Sequence, residues 1–280
     1  MVLSVVIALI PHLNQQQYAV GEDTTVYSDW MQDLKQSKDL GNLLRLTFVD
    51  IQFGDRPLSL MILFALLNML NSNVLFVFEM LLPALLSPLL VLSIYFLTKE
   101  ITRNTLAALF SAFITAVSFQ TMIGVYAGFY ANWIALVFGY FSLLFVLRFL
   151  NTHSNKYLIA FSITLIALLF SHVYTWTIFT TFMIILLIVL KWKRLYKFEQ
   201  IKLLFIIIAV VVAIDLSKSS LIGSASAIQR DLAVAESFDF FVLQLSERWS
   251  VLVRTVEVFL GGIFGNILIL SLALYCGLTY

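Results

Sequence analysis

The stretch Lys191-Trp192-Lys193-Arg194-Leu195-Tyr196-Lys197-Phe198-Glu199-Gln200-Ile201-Lys202 carries five cations and lies between two long apolar runs, 174–190 and 203–216. A short basic link between two hydrophobic segments predicts that both segments cross a bilayer and that the link stays cytoplasmic. The pattern recurs upstream, at 98–104 with Lys99 and Arg103 and at 148–156 with Arg148 and Lys156. Carboxylates sort the other way. Glu22, Asp23, Asp29, Asp33, Asp39, Asp50 and Asp55 lie in 14–57, which is therefore expected to face outward.

Composition agrees with that class. Of the 280 residues 61% are hydrophobic and 12% charged, with a mean hydropathy of +0.97. Soluble domains carry about 25% charged residues. The net charge of +1 reflects sorting rather than excess, and no basic stripe exists on which nucleic acid could lie. The single Cys276 excludes an intrachain disulfide framework and a multi-cysteine zinc site.

A spanning helix needs roughly 20 apolar residues. By that measure spans are expected at 74–97, 106–119, 133–146, 157–170, 174–190, 203–216 and 258–280. Residues 1–13 read as the outer half of a first helix whose start is missing. The predicted fold is an all-α, polytopic transmembrane bundle of about eight spanning helices in one membrane domain. Its outer loops are 14–73, bearing interfacial juxtamembrane helices, and 218–250, before the last helix at 251–280. The run 57–70 opens with Arg56-Pro57 and is too short to span comfortably, so it is placed flat in the outer interface. If it did span, parity would put the basic loops outside. Pro83 and Pro88 fall inside one span and predict a kink. Gly261 and Gly265, four apart, permit close helix approach.

The string Gly21-Glu22-Asp23-Thr24-Thr25-Val26-Tyr27-Ser28-Asp29-Trp30 is the most informative outer stretch. Val26, Trp30 and Leu34 recur every four residues with Tyr27 and Met31 beside them, which predicts an amphipathic helix stopped by Gly41. Asp23 stands at its N-cap position. As a cap it is structural. Facing the membrane surface beside Glu22, it is a candidate catalytic carboxylate that takes a proton from a hydroxyl or holds a divalent cation against a phosphate. Gly21 would allow close backbone approach. Glu79, His172 and Asp215 are expected at the same outward depth as candidate substrate-binding groups, since an ionisable side chain within a span is costly. As a structural alternative, His172 is a hydrogen-bonded packing residue.

This order of features resembles the GT-C superfamily of polytopic membrane glycosyltransferases, which includes protein mannosyltransferases, aminoarabinose transferases and oligosaccharyltransferase catalytic subunits. The features are an outer loop opening Gly21-Glu22-Asp23 and Tyr27, a helix from Arg56-Pro57-Leu58, and the run Leu82-Pro83-Ala84-Leu85-Leu86-Ser87-Pro88-Leu89 leading to Lys99-Glu100. The likeness is best over 15–150 and implies an N-terminal portion or a short divergent member. It also implies that Asp23 is the key acid of the first outer loop. Many members place a second acid, often a metal ligand, in the next outer segment. Here 120–132 holds no acid and Asn132 is the nearest polar candidate, which leaves the cofactor open.

Two function classes follow. One is a transferase moving a sugar from a polyprenyl-phosphate donor at the outer face of the cell membrane, with Arg254, Arg248 or Lys218 neutralising the phosphate. Arg254 and Glu257 lie three apart, so a local ion pair is the competing role for that arginine. The other class is a transporter or lipid-binding protein without chemistry, in which Glu79, His172 and Asp215 line a pathway.

Overall fold

The computed structural model describes residues 1–10, 21, 23–70, 73–118 and 128–222, the last four by backbone alone. Among them there is no strand. The helices are α1 (Val2–Leu9), α2 (Thr24–Lys35), α3 (Leu40–Arg45), α4 (Pro57–Leu70), α5 (Val74–Thr102), α6 (Thr105–Ala116), α7 (Tyr130–Thr152), α8 (Asn155–Ser171), α9 (Val173–Trp192) and α10 (Phe198–Ile222).

Four stretches are long and apolar enough to cross a membrane: Val74–Thr102, Tyr130–Thr152, Val173–Trp192 and Phe198–Lys218. The helices found at the expected spans 106–119 and 157–170 have 12 and 17 residues. At 1.5 Å per residue they fall short of a core about 30 Å thick. The described residues thus hold fewer full-length spans than the sequence predicts. The expected last span lies outside them.

Two hydrophobic cores meet on α7. One joins α7 to α8, α9 and α10 through Leu144, Phe161, Leu165, Met183, Leu187 and Leu204. The other joins the start of α7 to α1, α2, α4 and α5 through Tyr130, Trp133, Tyr27, Leu63, Phe78 and Leu90. Away from these cores the apolar side chains are exposed in stripes. On α9, Ile178, Phe182, Ile185, Val189 and Trp192 recur at steps of three and four. A helix apolar all round suits lipid on its outer side.

Local sequence explains the irregular points. Pro57 opens α4, where its missing N–H costs nothing. Within α5 the turn Val77–Leu81 is π-helical, and the Leu82 N–H reaches back to the Val77 carbonyl. Pro83 cannot donate to the Glu79 carbonyl four residues behind it, which favours this wider turn. Arg103 and His153 end α5 and α7 in the left-handed conformation, at φ 55° and 57°.

The basic connectors collect at one end. Glu100 pairs with Arg103 and Arg148, Asn151 accepts from the Tyr196 hydroxyl, and Gln200 contacts His153. The first turn of α7 marks the opposite end.

Candidate functional site at the start of α7

Tyr130, Ala131 and Asn132 are consecutive residues that bind two different helices. The Tyr130 hydroxyl lies 3.0 Å from Thr24 Oγ1, and both residues are buried. The Ala131 N–H donates to the Tyr27 hydroxyl at 3.3 Å. Asn132 Oδ1 accepts from Thr175 Oγ1 at 2.5 Å. The α7 first turn thus holds α2 on one side and α9 on the other.

Glycine makes the α2 contact possible. Gly21 and Gly128 have φ of 101° and 71° and lie back to back across the start of α2. A Cβ on Gly21 would meet Gly128 N at 2.9 Å, and one on Gly128 would meet Thr24 N at 3.0 Å. Neither position has room for a side chain, and both backbones adopt a conformation that L-residues avoid. Gly128→Ala is therefore expected to cost about 1–3 kcal/mol of stability, measured as thermal unfolding of the purified chain, and to displace Asp23.

Asp23 occupies the N-cap position of α2 but makes no side-chain cap bond. Its backbone is already helical, at φ −82° and ψ −7°, whereas a capping residue is extended. The Gly21 carbonyl takes the Thr24 N–H instead, at 3.2 Å. The cap reading of Asp23 is thereby corrected. So is the face of α2: Thr24, Tyr27, Met31 and Leu34 are buried, whereas Val26 is exposed. Nor does Gly41 stop α2, which ends at Lys35; Gly41 lies inside α3, whose cap is Asp39, accepting the Asn42 N–H at 2.7 Å.

Glu79 sits in the π-helical turn of α5. Both acids stand in segments that pack against Tyr130: Asp23 precedes Thr24, whose hydroxyl meets that of Tyr130, and Glu79 follows Phe78, whose ring lies 5.1 Å from that of Tyr130. Among the described residues, no three His, Cys, Asp or Glu side chains group to hold a metal. Glu22 and Arg254 lie outside the described residues, as does Arg248.

A second structure supports this corner and was not foreseen. Arg56 grips Asp55 with two bonds of 2.8 and 2.9 Å and donates to the Tyr27 hydroxyl at 3.0 Å. Its guanidinium carbon also lies 5.5 Å from the Trp30 ring centre. Asp55 is 3% exposed, and its carbonyl accepts the Val173 N–H at 3.0 Å, which ties this loop to the start of α9. Burial pulls the Arg56 pKa down, but the Tyr27 phenol and Asp55 raise it by more, so it stays a cation. Burial pushes Tyr27 up, against the pull of Arg56. Its phenol stays neutral below the usual tyrosine pKa of about 10, and its contribution to stability fades only above that range. The clue in the sequence was Asp55-Arg56 set against the aromatic pair Tyr27 and Trp30.

His172 lies at the same end in a structural role. It is the N-cap of α9, with Nδ1 accepting the Thr175 N–H at 3.3 Å and lying 2.8 Å from Thr175 Oγ1. Asp215 is 1% exposed and paired with Lys218 at 2.9 Å, and the Lys218 ammonium lies 5.7 Å from the Phe170 ring centre. Lys218 is thus engaged within its own helix, which argues against its serving a phosphate. Nearby in sequence, the Trp133 and Trp176 indole N–H groups and the Ser171 and Thr180 hydroxyls are buried with no protein hydrogen-bond partner. Buried donors of this kind are usually satisfied by ordered water or by a ligand.

The structure thus sets the segments of Asp23 and Glu79 against the start of α7, which also reaches His172 through Asn132 and Thr175. It leaves Asp215 in a separate ion pair. The chain matches no known family model, no curated protein and no solved structure.

Proposed function

We propose that the chain is a membrane glycosyltransferase working at the outer face, with a polyprenyl-phosphate sugar as donor. The observation that supports it best is that the segments bearing Asp23 and Glu79 both pack against Tyr130, through Thr24 and Phe78, at the end of α7 remote from the basic connectors. The GT-C resemblance supplies the same acid independently. In the proposed reaction Asp23 takes the acceptor hydroxyl proton as that oxygen attacks the anomeric carbon. The bond from the anomeric carbon to the phosphate oxygen breaks, and polyprenyl phosphate leaves with the electron pair. Asp23 is the proposed base, and Glu79 is the second acid for orienting the sugar. Arg254 is the cation proposed for the departing phosphate.

The proposed topology places 98–104, 148–156 and 191–202 in the cytoplasm, 14–73 and 218–250 outside, and α6 and α8 as short spans beside the four long ones. Single cysteines replacing Gln36 and Lys197, both exposed, in a Cys276→Ser background test it. In intact cells an impermeant thiol reagent should label position 36 and spare position 197. The reverse would invert the molecule and put the acids inside.

A donor with a photoreactive group on its sugar tests the site itself. Cross-links are expected within 21–30 and 128–133. Cross-links confined to the basic end would sink the proposal.

A further inference from the structure

At the basic end, α5 and α7 leave a cavity of about 170 Å³ lined by Phe96, Lys99, Glu100, Arg103 and Arg148. Three of those five residues are cations. The one carboxylate, Glu100, is shared between Arg103 at 3.2 Å, Arg148 at 3.4 Å and the Asn151 amide at 2.9 Å. One carboxylate cannot neutralise three cations, so the cavity keeps a positive excess. Its cations are placed by the fold rather than scattered. Arg103 ends α5 in the left-handed conformation, its N–H bonded to the Lys99 carbonyl at 3.0 Å, which turns the chain back at the rim. Lys99 lies 5.7 Å from the Tyr95 ring centre, and the Arg148 guanidinium carbon 5.7 Å from that of Tyr157.

The surroundings indicate what kind of anion fits. Phe96 forms one wall, and the neighbouring Ile101 and Leu106 are 62% and 76% exposed. A free inorganic anion has no use for such neighbours, whereas a ligand with a phosphate and acyl chains uses both. Basic pockets between spanning helices at the interface are suited to anionic headgroups.

We infer that this cavity binds the headgroup phosphate of an anionic phospholipid. This is a site apart from the Asp23 cluster and does not depend on the transfer reaction. Arg103 and Arg148 share Glu100, so Lys99 and the part of their charge that one carboxylate leaves over face the ligand.

The test is titration of the purified full chain in detergent with phosphatidylglycerol, counting bound lipid by native mass spectrometry. One retained phosphatidylglycerol is expected at concentrations where phosphatidylcholine leaves no adduct. Lys99→Gln combined with Arg103→Gln, both exposed, should weaken binding about thirtyfold, since each interfacial cation contributes roughly fivefold. Lys193→Gln combined with Lys197→Gln, two exposed cations of another connector, should retain wild-type affinity. If the first pair loses helical circular dichroism, Lys99→Gln alone decides, with an expected loss of about fivefold. Unchanged affinity in the Lys99 variants, or equal weakening in both double variants, would overturn the site. Competition by inorganic phosphate at the lipid's own concentration would overturn the lipid as its occupant.

Discussion

Asp23→Asn is expected to lower sugar transfer by roughly 10²–10⁴-fold, the usual contribution of a positioned general base. The substitution separates the chemical role of Asp23 from a structural one. Its side chain makes no cap bond to α2, so replacing one carboxylate oxygen by an amide nitrogen removes the base and leaves the helix start intact. Even a latent capping role would survive, because Asn caps about as well as Asp. The thermal midpoint should therefore stay near the wild-type value while transfer collapses. Asp33→Asn, on the exposed side of the same helix, should leave both unchanged. Equal transfer by the two variants would reduce Asp23 to an ordinary loop residue.

Arg56→Met should give the largest loss of stability, about 3–5 kcal/mol, the cost of orphaning one member of a buried ion pair. Asp55 is nearly inaccessible, and Arg56 supplies both of the short bonds to its carboxylate. Methionine keeps much of the packing against Trp30 and Tyr27 but removes the guanidinium that makes both short bonds to the carboxylate. Arg56→Lys should fall between the two, since it restores the charge and loses the paired geometry. Denaturant or thermal unfolding in detergent reads the order Arg, Lys, Met. If methionine matches arginine, the pair does not hold α2 to the start of α9.

The six helices from α5 to α10 were legible because each is marked by an apolar run, and α5, α7, α9 and α10 end in or beside cations, which are local signals. The start of α4 was legible for the same reason, in Pro57. Which side of α2 faces inward was not. Val26 and Tyr27 are neighbours, and only the distant Tyr130 and Phe78, whose rings lie 5.5 and 6.0 Å from that of Tyr27, decide that Tyr27 turns in. Gly128 carried no sequence signal either, because its partner Gly21 belongs to a different loop. The acids Asp23 and Glu79 could be nominated from their expected depth. That their segments both pack on Tyr130 depends on the π-helical turn before Pro83 and on the first turn of α7, which are tertiary matters. His172 was singled out for its charge and proves to cap α9, a role more often filled by Ser, Thr, Asp or Asn.

The most direct measurement places the purified chain in liposomes with a polyprenyl-phosphate sugar radiolabelled in the sugar and a mixture of hydroxyl-bearing acceptors. Label is expected to leave the lipid fraction and appear covalently on an acceptor, with wild-type chain and not with Asp23→Asn. Label that stays on intact donor and merely changes leaflet, at the same rate in both proteins, would contradict it and identify a transporter.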